Sequence, residues 1–136
     1  MNTDMHSLLV QKAMEARKRS YSPYSGFAVG AALLCKDGTV YTGTNIENAS
    51  FTPTVCAERV AFFSAIQDGH REFSAIAIVG GKGNQEVSEL CPPCGVCRQV
   101  MGEFCEGDFE IILSNSKESK TYTLNELLPF RFDSLK

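Results

Sequence analysis

The sequence lacks the features that mark membrane, secreted and nucleic-acid-binding proteins. No apolar run approaches the roughly 20 residues that a bilayer-spanning helix needs. The first residues contain neither a basic segment nor an apolar segment typical of a secretory leader. The net charge is −3 and there is no extended basic stripe, which disfavours a polynucleotide substrate. We therefore expect a cytoplasmic protein without a membrane or nucleic-acid partner.

Tryptophan is absent and histidine is scarce, whereas cysteine is well represented. The 136 residues include two histidines and six cysteines. In a reducing compartment, thiols are more often used for metal binding or catalysis than for disulfides. The length fits one domain, which we expect to span residues 1–136.

Hydrophobic periodicity predicts an α/β protein. The predicted elements are a helix over about 4–20, a hairpin with strands at 27–35 and 40–45, a helix at 56–68, a strand at 73–79, a helix at 94–104, a strand at 109–114, a short extended piece at 121–123 and a helix opened by a capping box at 123–126. Residues 46–55 and 80–90 are predicted loops. This order suggests one mixed sheet with helices on its faces.

Two local predictions accompany these elements. In the second helix, the residues expected to face the core are Val60, Phe63 and either Ile66 or Phe62. The basic residues 17–19 end the first helix, where cations complement the helix dipole, and we expect them to be solvated.

The residues that predict a metal site belong to two short motifs. Residues 56–59 read Cys-Ala-Glu-Arg, and residues 93–97 read Pro-Cys-Gly-Val-Cys. Cys94 and Cys97 lie one turn apart at the start of a predicted helix, and Cys56 begins another. Helix starts favour thiolates because of their free N–H groups and the helix dipole. Three thiols without an obvious fourth protein ligand predict an open zinc site, the kind that supports catalysis.

The two residues after this first cysteine suggest how such a site works. Glu58 lies in the first turn of the same helix as Cys56, near enough to face the open position, which suits a proton shuttle. Three thiolates on a divalent cation leave a net charge of −1. Our hypothesis is that Arg59 donates to one or more ligating sulfurs and so restores Lewis acidity.

Other interpretations of these thiols stay open. Together with Cys56, Cys94 and Cys97, the thiol of Cys91 would complete a closed, structural four-cysteine site. Alternatively, Cys94 and Cys97 form a redox dithiol, although such a motif usually follows the first strand of a thioredoxin-like unit.

The remaining cysteines and the histidines have no metal-ligand spacing in the sequence. Cys35 and Cys105 fall in apolar or helical segments, so we expect them to be small buried hydrophobic residues. His6 and His70 are expected to be solvated.

Taken together, the motifs resemble the short, single-domain form of the cytidine deaminases of pyrimidine salvage. Further stretches follow the order of that family: 24–32 (Tyr-Ser-Gly-Phe-Ala-Val-Gly-Ala-Ala), 45–51 (Asn-Ile-Glu-Asn-Ala-Ser-Phe), 93–99 (Pro-Cys-Gly-Val-Cys-Arg-Gln) and 127–129 (Leu-Leu-Pro). The resemblance implies a three-layer α-β-α sandwich with one mixed sheet. It also implies a homotetramer that holds one zinc ion per chain, bound by Cys56, Cys94 and Cys97.

The resemblance further implies roles for residues outside the zinc motifs. Phe27 would pack on the pyrimidine ring, and Asn45 and Glu47 would hydrogen-bond the ribose hydroxyls. The backbone of Ala57 would help to hold the base and the attacking water.

Two more residues are implied to act across subunit interfaces, namely Phe51 and Phe130. Position 51 is often Tyr in the family, so a hydroxyl contact is absent here while apolar packing remains.

The implied reaction is hydrolytic deamination of cytidine and deoxycytidine to uridine and deoxyuridine, with release of ammonia. Deamination of a cytosine nucleoside antibiotic such as blasticidin S is the nearest rival, but residues 45–49 fit the cytidine enzymes better. A non-catalytic zinc module and a polynucleotide deaminase are the alternatives from other classes.

Overall fold

The computed structural model describes residues 3–83 and 85–133, which form one five-stranded sheet with helices on both faces. The elements are α1 (Thr3–Arg17), β1 (Phe27–Cys35), β2 (Val40–Thr44), α2 (Ala57–Gln67), β3 (Phe73–Lys82), α3 (Gly95–Phe104), β4 (Glu110–Ser114), β5 (Ser119–Thr123) and α4 (Leu124–Leu127). The strand order is β2-β1-β3-β4-β5, in which β3 and β4 pair in parallel and the other neighbours are antiparallel. The predicted α/β class and mixed sheet are confirmed.

Successive residues of the central strands pack against opposite helix layers. In β1, Ala31 and Leu33 belong to the core shared with α2, α3 and α4. Ala32 of the same strand packs with Leu9 and Ala13 of α1 on the other face. This period of two buries both faces of the sheet, which confirms the three-layer α-β-α sandwich. Across the described residues, no helix is both long and apolar enough to cross a membrane.

The sheet topology brings the starts of α2 and α3 to the same edge. Both β2 and β3 run antiparallel to β1, so they point in the same direction, and β4 runs parallel to β3. Because α2 follows β2 and α3 follows β3, both helices begin beyond the carboxyl ends of these strands. In α/β proteins this edge is where ligand sites form.

Gly43 allows α2 to lie close against β2. A Cβ atom at this position would lie 2.3 Å from the Ala57 carbonyl oxygen and 2.6 Å from the Ala61 nitrogen. No side chain fits in that space, so the approach of the helix depends on glycine. The contact is with the first turn of α2, and it therefore fixes the position of that turn.

The ends of β3 and α1 differ from the sequence prediction. The strand β3 runs to Lys82, into the predicted loop, because it pairs with β1 along the whole of β1. The helix α1 ends at Arg17. The prediction that Arg17 is solvated is wrong, because its buried guanidinium donates to the carbonyl oxygens of Ala28 at 3.0 Å and Gly83 at 3.0 Å.

The core-facing side of α2 and the last strand also differ from prediction. Phe62 is fully buried and Phe63 is 48% exposed, because Phe62 lies on the same stripe as Ala61 and Ala65 and these small residues let it reach the sheet. The predicted extended piece at 121–123 is part of β5, which pairs with β4 along its five residues.

Candidate metal centre and active site

Cys56, Cys94 and Cys97 bring three sulfur atoms together at the sheet edge where α2 and α3 begin. The Sγ atoms of Cys56 and Cys94 are 3.8 Å apart, those of Cys94 and Cys97 are 3.5 Å apart, and all three lie within 4.8 Å of one another. A tetrahedral zinc ion with Zn–S bonds of about 2.3 Å separates its sulfur ligands by about 3.8 Å. The three side chains therefore fit zinc with little rearrangement.

Each of the two helices starts directly after one of these cysteines. Cys56 is the N-cap of α2 and Cys94 is the N-cap of α3, each with extended backbone and without a side-chain capping hydrogen bond. The first N–H groups of both helices consequently point toward the sulfur cluster. Their partial positive charge stabilises thiolates at this place.

The thiols of the cluster differ in their affinity for protons. Hydrogen bonds from Cys97 and then from Arg59 lower the pKa of Cys56. The hydrogen bond with Cys56, followed by burial, raises the pKa of Cys97. The protein alone thus favours the thiolate form of Cys56, whereas Cys97 needs a bound cation to be stabilised in this form.

Arg59 lies against the cluster with its guanidinium group. Its Nη2 donates to the Sγ of Cys56 at 3.4 Å. This hydrogen bond is the main reason why the pKa of Arg59 is raised. Among the described residues, the buried Nε of Arg59 has no hydrogen-bond partner. A permanent positive charge therefore adjoins a sulfur ligand, which is the contact that the sequence hypothesis requires.

The carboxyl group of Glu58 is buried in the first turn of α2. The residue is only 4% exposed, and burial raises its pKa to about 7, with the charge of Cys56 acting in the same direction. A carboxyl group with this pKa can both accept and donate a proton near neutral pH. This is the chemistry expected of a proton shuttle.

The side chain of Asn45 joins β1 to the loop after β2. Its Oδ1 accepts from the Val29 N–H at 2.9 Å and from the Ser20 hydroxyl, and its Nδ2 donates to the Phe27 carbonyl at 2.8 Å. The amide is therefore held in one orientation beside Phe27.

Glu47 is held by the turn that precedes β1. Its Oε1 accepts from the backbone N–H groups of Tyr24 at 2.9 Å and Ser25 at 3.1 Å, and its Oε2 accepts from the Ser25 hydroxyl. The hydroxyl contact is the main cause that lowers the pKa of Glu47. The side chain is consequently an oriented, ionised acceptor, which suits a sugar hydroxyl.

Phe27 and Cys91 both pack against Gly80 in β3. A Cβ atom at Gly80 would lie 2.8 Å from the Sγ of Cys91 and 3.0 Å from Cε2 of Phe27. Burial, with the charge of Glu58 second, raises the pKa of Cys91 to about 11. Cys91 is thus a neutral thiol near Glu58, and it lies outside the group of three sulfurs described above. This arrangement favours the open site over the closed four-cysteine alternative.

The other predicted substrate contacts lie in different environments. Ala57 is fully buried as the first residue of α2. Phe51 is 87% exposed and lines a cleft of about 240 Å³ together with Glu47. Phe130 is fully exposed and lines a separate cavity near Arg131. The single chain therefore does not bring Phe130 to the other predicted site residues.

Sequence reasoning missed the residues that support the candidate substrate pocket. Ser20 and Ser25 hold Asn45 and Glu47, and Gly80 makes room for Phe27. These serines lie in or directly before the segment 21–26, which reads Tyr-Ser-Pro-Tyr-Ser-Gly. Its density of Ser, Tyr and Gly was the available signal for a structured turn.

Comparison with known proteins identifies the family of this chain. Residues 3–112 match the family model described as the cytidine and deoxycytidylate deaminase zinc-binding region. A cytidine deaminase from Sporosarcina psychrophila is 46% identical over 125 residues, which are 91% of this chain and 88% of that protein. One from Halalkalibacterium halodurans is 48% identical over 126 residues, or 92% of each chain. The crystal structure of cytidine deaminase from Burkholderia pseudomallei matches with a TM-score of 0.86 and 45% identity, covering 93% of this chain and 98% of that one. The chain therefore belongs to the cytidine and deoxycytidylate deaminase family.

Proposed function

We propose that this protein catalyses the zinc-dependent hydrolytic deamination of cytidine and deoxycytidine to uridine and deoxyuridine. The proposal rests on one observation. Three cysteine sulfurs lie together at the sheet edge where α2 and α3 begin, and the buried carboxyl group of Glu58 belongs to the first turn of α2. Such a set of residues has the ligands and the proton carrier that activation of water requires.

The metal site is formed by the three sulfurs. Cys56, Cys94 and Cys97 would hold one zinc ion, as supported by sulfur separations close to those of tetrahedral ligation. When bound, zinc supplies the Lewis acidity that makes water a nucleophile near neutral pH. Arg59 donates to Cys56 and draws charge from the sulfur, which offsets the negative charge of three thiolates.

Glu58 is assigned the proton transfers. Its carboxylate takes a proton from the water that attacks C4 of the cytosine ring, and it delivers this proton to the ring nitrogen N3. A second transfer from the same water-derived oxygen to the exocyclic amine accompanies cleavage of the C4–N bond, and ammonia leaves. Burial of Glu58 supports this role because it excludes solvent from the proton path.

The nucleoside is bound by residues on the other side of the pocket. Phe27 packs on the pyrimidine ring, and the backbone of Ala57 helps to hold the base and the water. Asn45 and Glu47 bind the ribose hydroxyls, for which their fixed orientations are suited.

A homotetramer is the assembly that we propose for the enzyme. The side chains of Phe51 and Phe130 are almost completely exposed to solvent in the single chain. Phe132, close to Phe130 in the sequence, is 68% exposed. Covering these side chains with a second copy would remove apolar surface from water and bring them toward a neighbouring pocket. We further infer one catalytic domain over residues 1–136 that works in the cytoplasm, in pyrimidine salvage.

The experiment that tests the proposal compares Glu58→Gln with the wild type. The zinc-loaded wild type should convert cytidine to uridine, and the change in ultraviolet absorbance measures this reaction. Glu58→Gln should keep its fold and zinc while turnover falls by about 10² to 10⁴-fold, the usual contribution of a general acid–base. Glu118→Gln, which neutralises an exposed carboxylate in a turn, is the matched control and should retain full activity.

Substrates of other classes distinguish the rival functions. Single-stranded DNA or RNA should not compete with cytidine, and blasticidin S should be a poorer substrate than cytidine. A zinc-loaded wild type that leaves cytidine unchanged would instead support a non-catalytic zinc module.

A further inference from the structure

A second group of possible metal ligands lies where the β1–β2 hairpin meets the end of α2. The Sγ of Cys35, a carboxylate oxygen of Asp37 and a ring nitrogen of His70 lie within 4.8 Å of one another. The Nδ1 of His70 is 3.6 Å from Oδ2 of Asp37. Thiolate, imidazole and carboxylate are the three donor types that zinc uses in proteins. The sequence prediction of a solvated His70 did not anticipate this contact.

The hairpin holds its two donors in a closed turn. The Cys35 N–H donates to the Thr39 carbonyl at 2.8 Å, and the Gly38 N–H donates to the Cys35 carbonyl at 3.0 Å. Oδ1 of Asp37 accepts from the Thr39 N–H at 3.0 Å, while Oδ2 is the oxygen beside His70. Cys35 and Asp37 therefore lie two residues apart in a turn that backbone hydrogen bonds hold, and Oδ2 of Asp37 faces His70.

His70 is held by the turn that ends α2. The backbone N–H of His70 donates to the Ala65 carbonyl at 3.0 Å, and the backbone N–H of Gly69 donates to the Ile66 carbonyl at 3.0 Å. Gly69 has a φ of 102°, a conformation that favours glycine and turns the chain back toward the sheet. Backbone hydrogen bonds fix both the β1–β2 turn and the turn after α2. The binding of an ion therefore costs little conformational entropy.

The side chain of Tyr41 adjoins the imidazole of His70. The ring of Tyr41 packs edge-on against it, with the ring centroids 5.3 Å apart. The Tyr41 hydroxyl donates to Oδ2 of Asp68, which fixes the Tyr41 ring. The ring contact in turn restricts the orientation of the imidazole.

We propose that Cys35, Asp37 and His70 bind a divalent transition-metal ion, Zn²⁺ or Co²⁺, at a site separate from the catalytic centre. The catalytic ligands lie at the start of α2, and this group lies beyond its end, about 16 Å away along an 11-residue helix. The ion joins the hairpin to the end of α2. Binding converts the Cys35 thiol to a thiolate and releases one proton to solvent.

Equilibrium dialysis of the zinc-loaded enzyme against Zn²⁺ tests this site. The wild type should bind a second zinc ion per chain. His70→Gln and Asp37→Asn, which change residues at the surface, should weaken this second binding by at least about tenfold. Both variants should turn over cytidine at the wild-type rate, so the result does not depend on the proposed function.

The matched control is His6→Gln. His6 also pairs with a carboxylate, at 2.9 Å from Oε1 of Glu110, but it lies outside the group of three donors. This variant should bind the second ion as the wild type does. Addition of Co²⁺ to the zinc-loaded protein gives an independent readout, because a thiolate-to-cobalt absorption band should form in the wild type and be lost in Cys35→Ser.

The zinc-binding results either support or overturn the second metal site. A second zinc ion that depends on His70 and Asp37 but not on His6 supports the site. Absence of a second ion in the wild type overturns it. Equal loss in His6→Gln and His70→Gln, or no loss in His70→Gln and Asp37→Asn, shows that the ion binds elsewhere and also overturns it.

Discussion

Replacing Gly43 with alanine tests whether close approach of α2 to β2 sets the position of the catalytic groups. The added Cβ would lie 2.3 Å from the Ala57 carbonyl oxygen, whereas ordinary contacts begin at about 3.4 Å. The first turn of α2 must therefore retreat by about 1 Å. Cys56 and Glu58 flank Ala57 in the chain and would move with it.

The size of the effect follows from this displacement. Inserting a methyl group into a packed interface costs about 1–3 kcal/mol of stability. A misplacement of about 1 Å at a catalytic group lowers the rate by about 10²-fold. We expect Gly43→Ala to remain folded, to bind zinc more weakly and to lose about 10²-fold in kcat/KM for cytidine.

The assay measures kcat/KM for cytidine, zinc content and the free energy of unfolding in urea on the same preparation. Gly102→Ala on α3 is the matched control, because its Cβ would meet only side-chain atoms, Cδ2 of Leu128 at 3.3 Å and Cδ of Arg131 at 3.6 Å. These flexible ends can move, and alanine improves helix propensity by up to about 1 kcal/mol. The control should therefore be active and at least as stable as the wild type.

Two results would refute this reasoning. A folded Gly43→Ala enzyme with kcat/KM within twofold of the wild type would show that the approach of α2 does not set the catalytic geometry. An equal loss of activity in Gly102→Ala would show that the effect is not specific to the contact with Ala57.

Further variants test the other contacts of the site. Arg59→Gln, at full zinc occupancy, should lose about tenfold in kcat/KM, and undiminished turnover would exclude its action on Cys56. Asn45→Ala should lower the free energy of unfolding in urea by about 1–3 kcal/mol, because the Val29 N–H loses its partner; an unchanged urea midpoint would contradict this. Cys91→Val should keep the zinc content of the wild type by elemental analysis, since this thiol packs against Gly80; loss of zinc would make it a ligand.

The sequence was most informative where short motifs determine local structure. The pattern at 56–59 and 93–97 predicted two helix starts and three ligands, because capping and thiolate stabilisation both depend on neighbouring residues. The runs of apolar and small residues at 27–35 and 109–114 likewise predicted strands. These features need no knowledge of distant contacts.

Long-range contacts explain what the sequence prediction missed. Gly80 and Gly81 suggest a loop, but pairing with Val29 and Ala28 keeps them in β3. Arg17 looks like a surface cation until its carbonyl partners are known. The proximity of Cys35 to His70 depends on the packing of the hairpin against α2, since 34 residues lie between them in the chain. Residue spacing within a single helix or strand cannot predict contacts between different elements.

The most direct test of the central claim is a zinc titration of the metal-free enzyme while cytidine deamination is followed by ultraviolet absorbance. Activity should rise with added zinc and reach its maximum when one ion per chain is bound, with one ammonia formed for each uridine. Full turnover without metal, or no turnover when the three cysteines hold zinc, would contradict it.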